Sequence, residues 1–296
     1  MANADKLTLQ TMVGNYPNTA ALKSGMLSSD LVDFDFAEVK VANNHFKQIV
    51  RDAKFDLGEL AIATYLQARS FDKPYVLIPA VLVSRGQHHT IAYNAERGPL
   101  SPSDLAGKRV GLRAYTVTTA TWVRGILADE YGVDLDKVEW ITFEDPHVAE
   151  YRDPDRVKRA APGKELVQML LDGEIDAAVV GDKLPDPRLK HLIPDHETSA
   201  LRWAQNHGGI PINHMIVVRS ELSKSRPDIV QEVFRLLRES KNAAGGAKTP
   251  EPLRFGVEAC RPVIEAMIGY CHRQGLIPKP LSVDSLFDDV TQKLGA

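Results

Sequence analysis

The chain is poor in cysteine, carries no excess of basic charge and has no long apolar run, and each scarcity removes a class of function. Its 296 residues include two cysteines, Cys260 and Cys271. Both fall in the helical pattern VEACRPVIEAMIGYCHR, where eleven residues at ~1.5 Å each separate them by roughly 16 Å, too far for a disulfide. Neither has the histidine or cysteine neighbours of a metal ligand, since Cys271-His272 is too close in sequence to be a signature. Buried, reduced thiols are expected, and these suit a cytoplasmic protein. No window approaches the ~20 apolar residues of a membrane span. A net charge of −3 and a pI near 6.3 offer no field to nucleic acid or an anionic membrane, so any anion must be held by local groups. A nucleophile elbow, a phosphate loop, a dinucleotide fingerprint and a Cys–His arrangement are all missing, which argues against acyl-enzyme, phosphoryl and hydride chemistry. No His-x-His or HExxH spacing supports a zinc site, and neither metal nor cofactor is expected. The N-terminal MANADKLTLQTM lacks the basic-then-apolar layout of an export signal, which again points to the cytoplasm unless a signal has been trimmed.

What is present is an ordinary globular composition, 44% hydrophobic and 25% charged. The length exceeds one typical core and predicts two lobes. Short apolar or alternating runs predict strands at 7–12, 34–39, 75–83, 109–112, 138–142, 176–180 and 214–218. Helical spacing marks 44–53, 59–69, 119–131, 163–172 and 227–241, the last entered at Pro227. Strands alternating with helices predict an α/β protein with mostly parallel sheets. The chain is expected to leave lobe one near Ile91–Asn94 and return near Pro211–His214, punctuated by Gly208-Gly209. Lobe one is then 1–92 plus 213–296, and lobe two is 93–212. Residues 241–252 read as a loop between C-terminal helices.

The densest information lies in SPSDLAGKRVGLRAYTVTTATWVRGILADEYGVDLDKVEWIT (101–142). It reads as a capped turn, a strand, a polar loop, a helix and another strand. Hydroxyls and guanidinium groups gather where the helix begins, and a helix start with its unpaired N–H groups is a natural seat for a carboxylate. Arg113, Tyr115, Thr118, Thr119, Trp122 and Arg124 are the candidate anion seat, with Trp122 as an apolar wall. Alternatively a threonine there caps the helix, Trp122 packs between layers and Arg124 is a surface charge.

This stretch resembles the second lobe of type II periplasmic-binding-protein folds, and within them the 4,5-dihydroxyphthalate decarboxylase-like group. GKELVQMLLDGEIDAAVVGD (163–182), HMIVVRSELSKSRPDIVQEVFRLLRESK (214–241) and IPAVLVSRGQHHTIAYN (78–94) extend the likeness over nearly the whole chain. In the last, Arg85 and His89 fit an Arg-x-Phe-Arg-His pattern, while Gln87 and His88 depart from it. The resemblance implies two mixed, mostly parallel sheets around a hinged cleft.

Other candidates follow from position. Asn15 and Tyr16 trail the first strand, where open α/β sheets bind ligands. Glu59 stands at a comparable strand end, either as partner to a substrate hydroxyl or as a helix N-terminal charge. His88, His89, His207 and His214 flank the two crossovers, with Arg85 nearby. The long connection 143–163 reads as a lid or a solvated loop, and His147 with Glu150 on one turn of it could form a proton donor and its tuning carboxylate. The resemblance implies a cofactor-independent decarboxylase acting on a small hydroxylated aromatic dicarboxylate, with self-association left open. His147 or His89 would give the ring a proton, and Glu59 or Glu150 would take one from the hydroxyl. Arg85, Arg113 and Thr118–Thr119 would orient the dianion. The rival class is a binding protein for an aromatic acid that performs no chemistry. A third reading, an enzyme with a changed substrate, rests on Gln87 and His88.

Overall fold

A computed structural model describes residues 6–245 and 250–295. Eleven strands run in chain order: β1 (Leu7–Met12), β2 (Val32–Phe36), β3 (Leu57–Ala61), β4 (Tyr75–Ser84), β5 (Ile91–Asn94), β6 (Arg109–Leu112), β7 (Glu139–Thr142), β8 (Val157–Arg159), β9 (Ala177–Val179), β10 (Leu189–His191) and β11 (Ile212–Arg219). The helices are α1 (Pro17–Lys23), α2 (Phe46–Val50), α3 (Ile62–Ser70), α4 (Thr118–Tyr131), α5 (Leu166–Asp172), α6 (His196–Asn206), α7 (Ser220–Ser225), α8 (Pro227–Ala243) and α9 (Val257–Arg273). No helix among the described residues is long and apolar enough to cross a membrane.

The strands form two mixed sheets, ordered β2-β1-β3-β11-β4 and β10-β5-β9-β6-β7-β8. In the first, β1 pairs in parallel with β2 and β3, while β11 returns antiparallel between β3 and β4. In the second, β6, β7, β8 and β9 are parallel, and β5 and β10 add an antiparallel edge. Because β5 pairs with β9, the outward crossover falls between Ser84 and Ile91, earlier than the boundary expected at 92.

Several expectations shift for identifiable reasons. The helix expected over 59–69 is a strand followed by a helix. Every residue of β3 and the run Ile62–Ala68 of α3 is buried, so neither shows the polar face that would betray its period. The strand at 34–39 starts at Val32 and stops at Phe36. Strands β8 (VKR) and β10 (LKH) are short, polar edges without alternation, and neither is visible in the pattern. The connection 143–163 is not structureless: it contains β8 and is tied down by Arg159 to Asp145 at 2.6 Å and Lys73 to Glu150 at 2.5 Å. At 241–252, helix α8 continues to Ala243 before any loop begins, and 246–249 lie outside the described residues.

One hydrophobic cluster runs through both lobes, joining Phe46, Leu60 and Tyr65 to Tyr115, Trp122, Trp140, Trp203 and Tyr270. Helix α4 is its pillar. Trp122 donates through Nε1 to the Ile212 carbonyl at 2.8 Å and meets Trp203 and Tyr270 edge-on, centroids 5.3 and 5.5 Å apart. Arg124 is fully buried, its guanidinium 3.8 Å from the Tyr115 ring centroid. Its Nε donates to Gln274 Oε1 at 2.8 Å and its Nη2 to the Tyr115 carbonyl at 2.7 Å, while the Tyr115 hydroxyl donates to the Gln274 carbonyl at 3.1 Å. Tyr115, Trp122 and Arg124 therefore clamp α4 to the segment after α9.

Gly125 faces Tyr270 so closely that a Cβ there would overlap the ring. Replacing a helical glycine by alanine ordinarily stabilises by ~0.5–1 kcal/mol. Here overpacking of ~1–3 kcal/mol should outweigh that gain. Gly125→Ala is thus expected to lower the thermal midpoint by several degrees in a scanning unfolding experiment. A midpoint that stays or rises means the Tyr270 ring can move aside.

Candidate active site

The first sheet places a carboxylate where a charge is costly. Glu59 lies on β3, opposite Ile216 of β11, with no exposed surface. An ionised carboxylate survives such burial only if its lone pairs are filled. The Gly14 N–H donates to Oε2 at 2.8 Å, the Tyr16 hydroxyl to Oε1 at 2.7 Å, and His214 Nδ1 lies 2.5 Å from Oε1. Burial pushes the Glu59 carboxyl up, but the donors from His214, Tyr16 and Gly14 together outweigh it and hold it below the usual carboxylate range. Burial first and then the Glu59 charge push the Tyr16 phenol well above its ordinary value, so Tyr16 stays a donor. Because an ionised carboxylate only accepts, His214 carries its proton on Nδ1, which leaves Nε2 for the cleft.

His214 lines an inner chamber of about 140 Å³ together with Asn43, Phe46, Ala61, Val83, Arg85, Arg113, Val117, Thr118, Thr119, His147 and Asn213. This chamber opens into an outer one of about 540 Å³, walled by Val117, Phe143, Leu166, Val179 and Val180 and rimmed by Arg85, Arg113, Lys164, Glu144 and Glu165. Asn43, Arg85, Arg113, Val117 and Thr119 belong to both. The start of α4 faces this space. Thr118 turns its hydroxyl across the cleft to accept the Ala63 N–H at 3.1 Å, so it caps the start of α3. The Thr119 hydroxyl accepts from Arg85 Nη2 at 3.3 Å and from Asn213 Nδ2 at 3.4 Å. Arg113 stands 3.7 Å from Glu144.

A second imidazole faces His214 across Phe46, whose ring meets His147 and His214 edge-on at 5.6 and 5.2 Å. His147 Nδ1 lies 2.8 Å from Thr64 Oγ1, and its backbone carbonyl accepts from Arg51 Nε at 2.8 Å. Burial, reinforced by the charges of Arg113, Lys47 and Arg51, pushes this imidazole down to about 3. His147 is therefore neutral near pH 7, contrary to the expected near-neutral proton donor.

Other expected site residues sit elsewhere. Glu150 points outward to Lys73 and does not meet His147, which turns inward to Thr64. Glu59 is sealed behind His214 and Tyr16 and cannot touch a ligand in the cleft. Asn15 is exposed, its Nδ2 donating to the Val39 carbonyl at 3.1 Å, and lines neither chamber. Tyr16 reaches the site only through Glu59. His89 lies outside the chamber walls, with Nε2 3.2 Å from Asp182 Oδ1. Tyr115, Trp122 and Arg124 face the core because they lie on the sides of α4 and its approach turned away from the cleft. Gln87 and His88 are buried too: Gln87 Nε2 donates to Asn213 Oδ1 at 2.8 Å, and His88 Nε2 lies 3.0 Å from Glu130. Neither touches the space a ligand would occupy. His207 stacks on Trp203 at 4.1 Å. Asn43, Phe46, Thr64 and Asn213 were missed. Only Asn213, beside His214 on the return strand, carried a positional signal. Among the described residues, no group of three or more His, Cys, Asp or Glu is arranged to hold a metal ion.

The depressed His147 pKa has a consequence for stability. In the unfolded chain the ring takes a proton near 6.5, whereas in the fold it does so only near 3. The unfolded state thus binds the extra proton between these values. Stability is fully present above about 6.5 and is lost as the pH falls toward about 3, by up to ~1.4 kcal/mol per pH unit. Denaturant unfolding at pH 7 and pH 5 should show a shallower loss for His147→Gln than for the parent. Equal losses would mean the ring takes its proton as readily in the fold as in the unfolded chain.

No protein-family model matches the chain. Relatives are found by sequence. The chain is 33% identical over 254 residues to a 4,5-dihydroxyphthalate decarboxylase of Comamonas testosteroni, spanning 81% of this chain and 76% of that one. It is 31% identical over 214 residues to a 4,5-dihydroxyphthalate decarboxylase of Pseudomonas putida, spanning 67% of this chain and 82% of that one. Among solved structures, the periplasmic aliphatic sulphonate binding protein SsuA from Escherichia coli superposes with a TM-score of 0.61 at 12% identity, over 99% of this chain and 94% of that one. The alkanesulfonate-binding protein SsuA from Xanthomonas axonopodis pv. citri does so with a TM-score of 0.56 at 12% identity, over 97% and 99%. At such identity the structural likeness establishes the two-lobed periplasmic-binding-protein fold and nothing more. The sequence likeness goes further, and by it the chain belongs to the 4,5-dihydroxyphthalate decarboxylase family of carboxy-lyases.

Proposed function

We propose that this protein removes one carboxylate from a hydroxylated aromatic dicarboxylate of the 4,5-dihydroxyphthalate type by protonating the ring carbon that bears it. In such a substrate each carboxylate lies para to a hydroxyl. A proton added to the carboxylate-bearing carbon takes up a ring π pair, and the para oxygen stabilises the resulting cation as its own proton passes to a base. The carbon–carboxylate bond then breaks, its electron pair restores the aromatic ring, carbon dioxide leaves and the phenolic oxygen recovers a proton.

The single observation that carries this reading is one chamber that holds both kinds of group the reaction needs. Arg85, Arg113 and the start of α4 supply positive charge and N–H donors for a dianion. Two imidazoles stand on either side of Phe46, one backed by a buried carboxylate and one neutral. His214, with Nδ1 held by Glu59, gives the ring a proton from Nε2 when its imidazole is doubly protonated. His147, neutral and tied to Thr64, accepts from the para hydroxyl. Glu59 acts through His214 as a positioning residue. The apolar walls at Val83, Val117 and Phe46 keep water from the ring and strengthen the charges around it.

The test is to incubate the protein with 4,5-dihydroxyphthalate and follow carbon dioxide and the monoacid product, in H₂O and in D₂O. One deuteron is expected at the vacated ring carbon. Ligand uptake with no carbon dioxide would instead favour a binding protein.

His214→Asn should lower kcat by ~10²–10⁴ while leaving KM nearly unchanged. Glu59→Gln should lower kcat less, and Arg113→Ala should act mainly on KM, raising it about tenfold or more. Steady-state kinetics of the three variants checks the division of labour. A His214 variant with normal turnover removes it from the proton-transfer step.

A further inference from the structure

Arg85, one of the two arginines common to both chambers, is already engaged. Its Nη1 donates to Asp182 Oδ2 and its Nη2 to Thr119 Oγ1 at 3.3 Å, while its Nε is buried and has no partner among the described residues. Asp182 follows β9 through Val180 and Gly181. That turn is fixed from behind, since the N–H groups of Val180 and Gly181 both donate to the Thr90 carbonyl, at 2.8 and 3.4 Å. The Asp182 side chain is the more exposed partner, 54% against 31% for Arg85, and its other oxygen lies 3.2 Å from His89 Nε2.

We propose that Asp182 is an internal stand-in for a ligand carboxylate, occupying Arg85 in the empty cleft and retaking it when the substrate loses a carboxylate. The proposal rests on the reading of the cleft as a seat for an aromatic dicarboxylate. A guanidinium that awaits a carboxylate in a half-buried cleft would otherwise be stranded with part of its hydration removed. Asp182 fills that need with the same chemical group. A dianion can span Arg85 and Arg113 together, and with two anchors it outcompetes a single tethered carboxylate. A monoanion holds one arginine at a time and is bound more weakly from the outset. Both acids bear the same cost of displacing Asp182, and that cost speeds release of the singly anchored product. His89, outside the chamber walls, acts at second hand by receiving Asp182 when it is displaced.

The experiment is calorimetric titration of the parent protein, Asp182→Asn and Asp182→Ala with two probes: phthalate, an inert diacid, and 3,4-dihydroxybenzoate, a monoacid. Loss of the competitor should tighten both acids by the same factor, about 2- to 5-fold, the range of a half-exposed ion pair. Product inhibition should strengthen by the same factor. In an Arg85→Ala background the Asp182 substitutions should change neither affinity. Two results overturn the proposal. Weaker binding of both acids would mean that Asp182 preorganises Arg85, and tightening that is larger for the diacid would mean that Asp182 merely adds negative charge near the cleft. A parent protein that binds neither acid would instead overturn the reading of the cleft itself, and this proposal with it. Binding of the diacid without turnover would remove only the catalytic reading, and the change in affinity would still decide the role of Asp182.

Discussion

The site depends on an ion that the fold has had to accommodate. Glu59 lies in the middle strand of the first sheet with no solvent, and its charge is sustained by three donors, two from the loop between β1 and α1 and one from β11. Gly14 belongs to the loop after β1, Tyr16 precedes α1, and His214 sits on β11. Filling one carboxylate therefore sets the register of the strand ends, the entry to α1 and the rotamer of an imidazole. Removing a single donor from such a group exposes it to the penalty of an unpaired buried charge, commonly ~3–5 kcal/mol. Positioning and stability are thus the same interaction, and a change at Glu59 will be felt in both.

A second constraint governs how the lobes relate. In a simple clamshell each lobe has its own core and the cleft opens at two crossing segments. Here α4 belongs to the second lobe but is buried against α9 and α3 of the first, and Trp122 bonds the return strand at Ile212. The hydroxyl of Thr118 caps α3 across the cleft. The base of the cleft is consequently part of the core. A site that must hold a proton donor and a base within hydrogen-bond reach of one ring gains from such a rigid floor.

This arrangement explains what could and could not be read in the chain. Alternation and helical spacing exposed elements with a wet face, such as β1 and α8, and continuous apolar runs exposed β4 and β11. They failed at β3 and α3, which are buried all round, and at β8 and β10, which are polar edges. At the site, residue type and strand-end position pointed to Arg85, Arg113, Thr118, Thr119, His147 and His214, all of which line the inner chamber. Trp122 and Arg124 have the chemistry of a binding site and are close in sequence to residues that line it, but a helix turns 100° per residue and sends them to the core, and Arg124 holds Tyr115 there with it. A fully buried arginine is rare enough that no composition rule would have placed Arg124 there. Phe46 opens α2 and Asn43 comes just before it, and the helical spacing at 44–53 showed the element but not that this end of it faces the cleft.

The departures at Gln87 and His88 can be weighed in the same physical terms. Read from sequence alone they suggest a different ligand, since they replace an aromatic and an arginine in a segment next to the cleft. Both side chains are buried, however: Gln87 holds Asn213 and the Arg85 carbonyl, and His88 holds Glu130. Their influence on a ligand must pass through Asn213 and Arg85, which they orient. Burial has already lowered the His88 pKa, with Glu130 pulling the other way, so it adds no fixed charge comparable to an arginine's at that position. A change of that kind alters the precision with which one carboxylate is gripped rather than the identity of the ring. The apolar walls of the inner chamber come instead from Phe46, Ala61, Val83 and Val117.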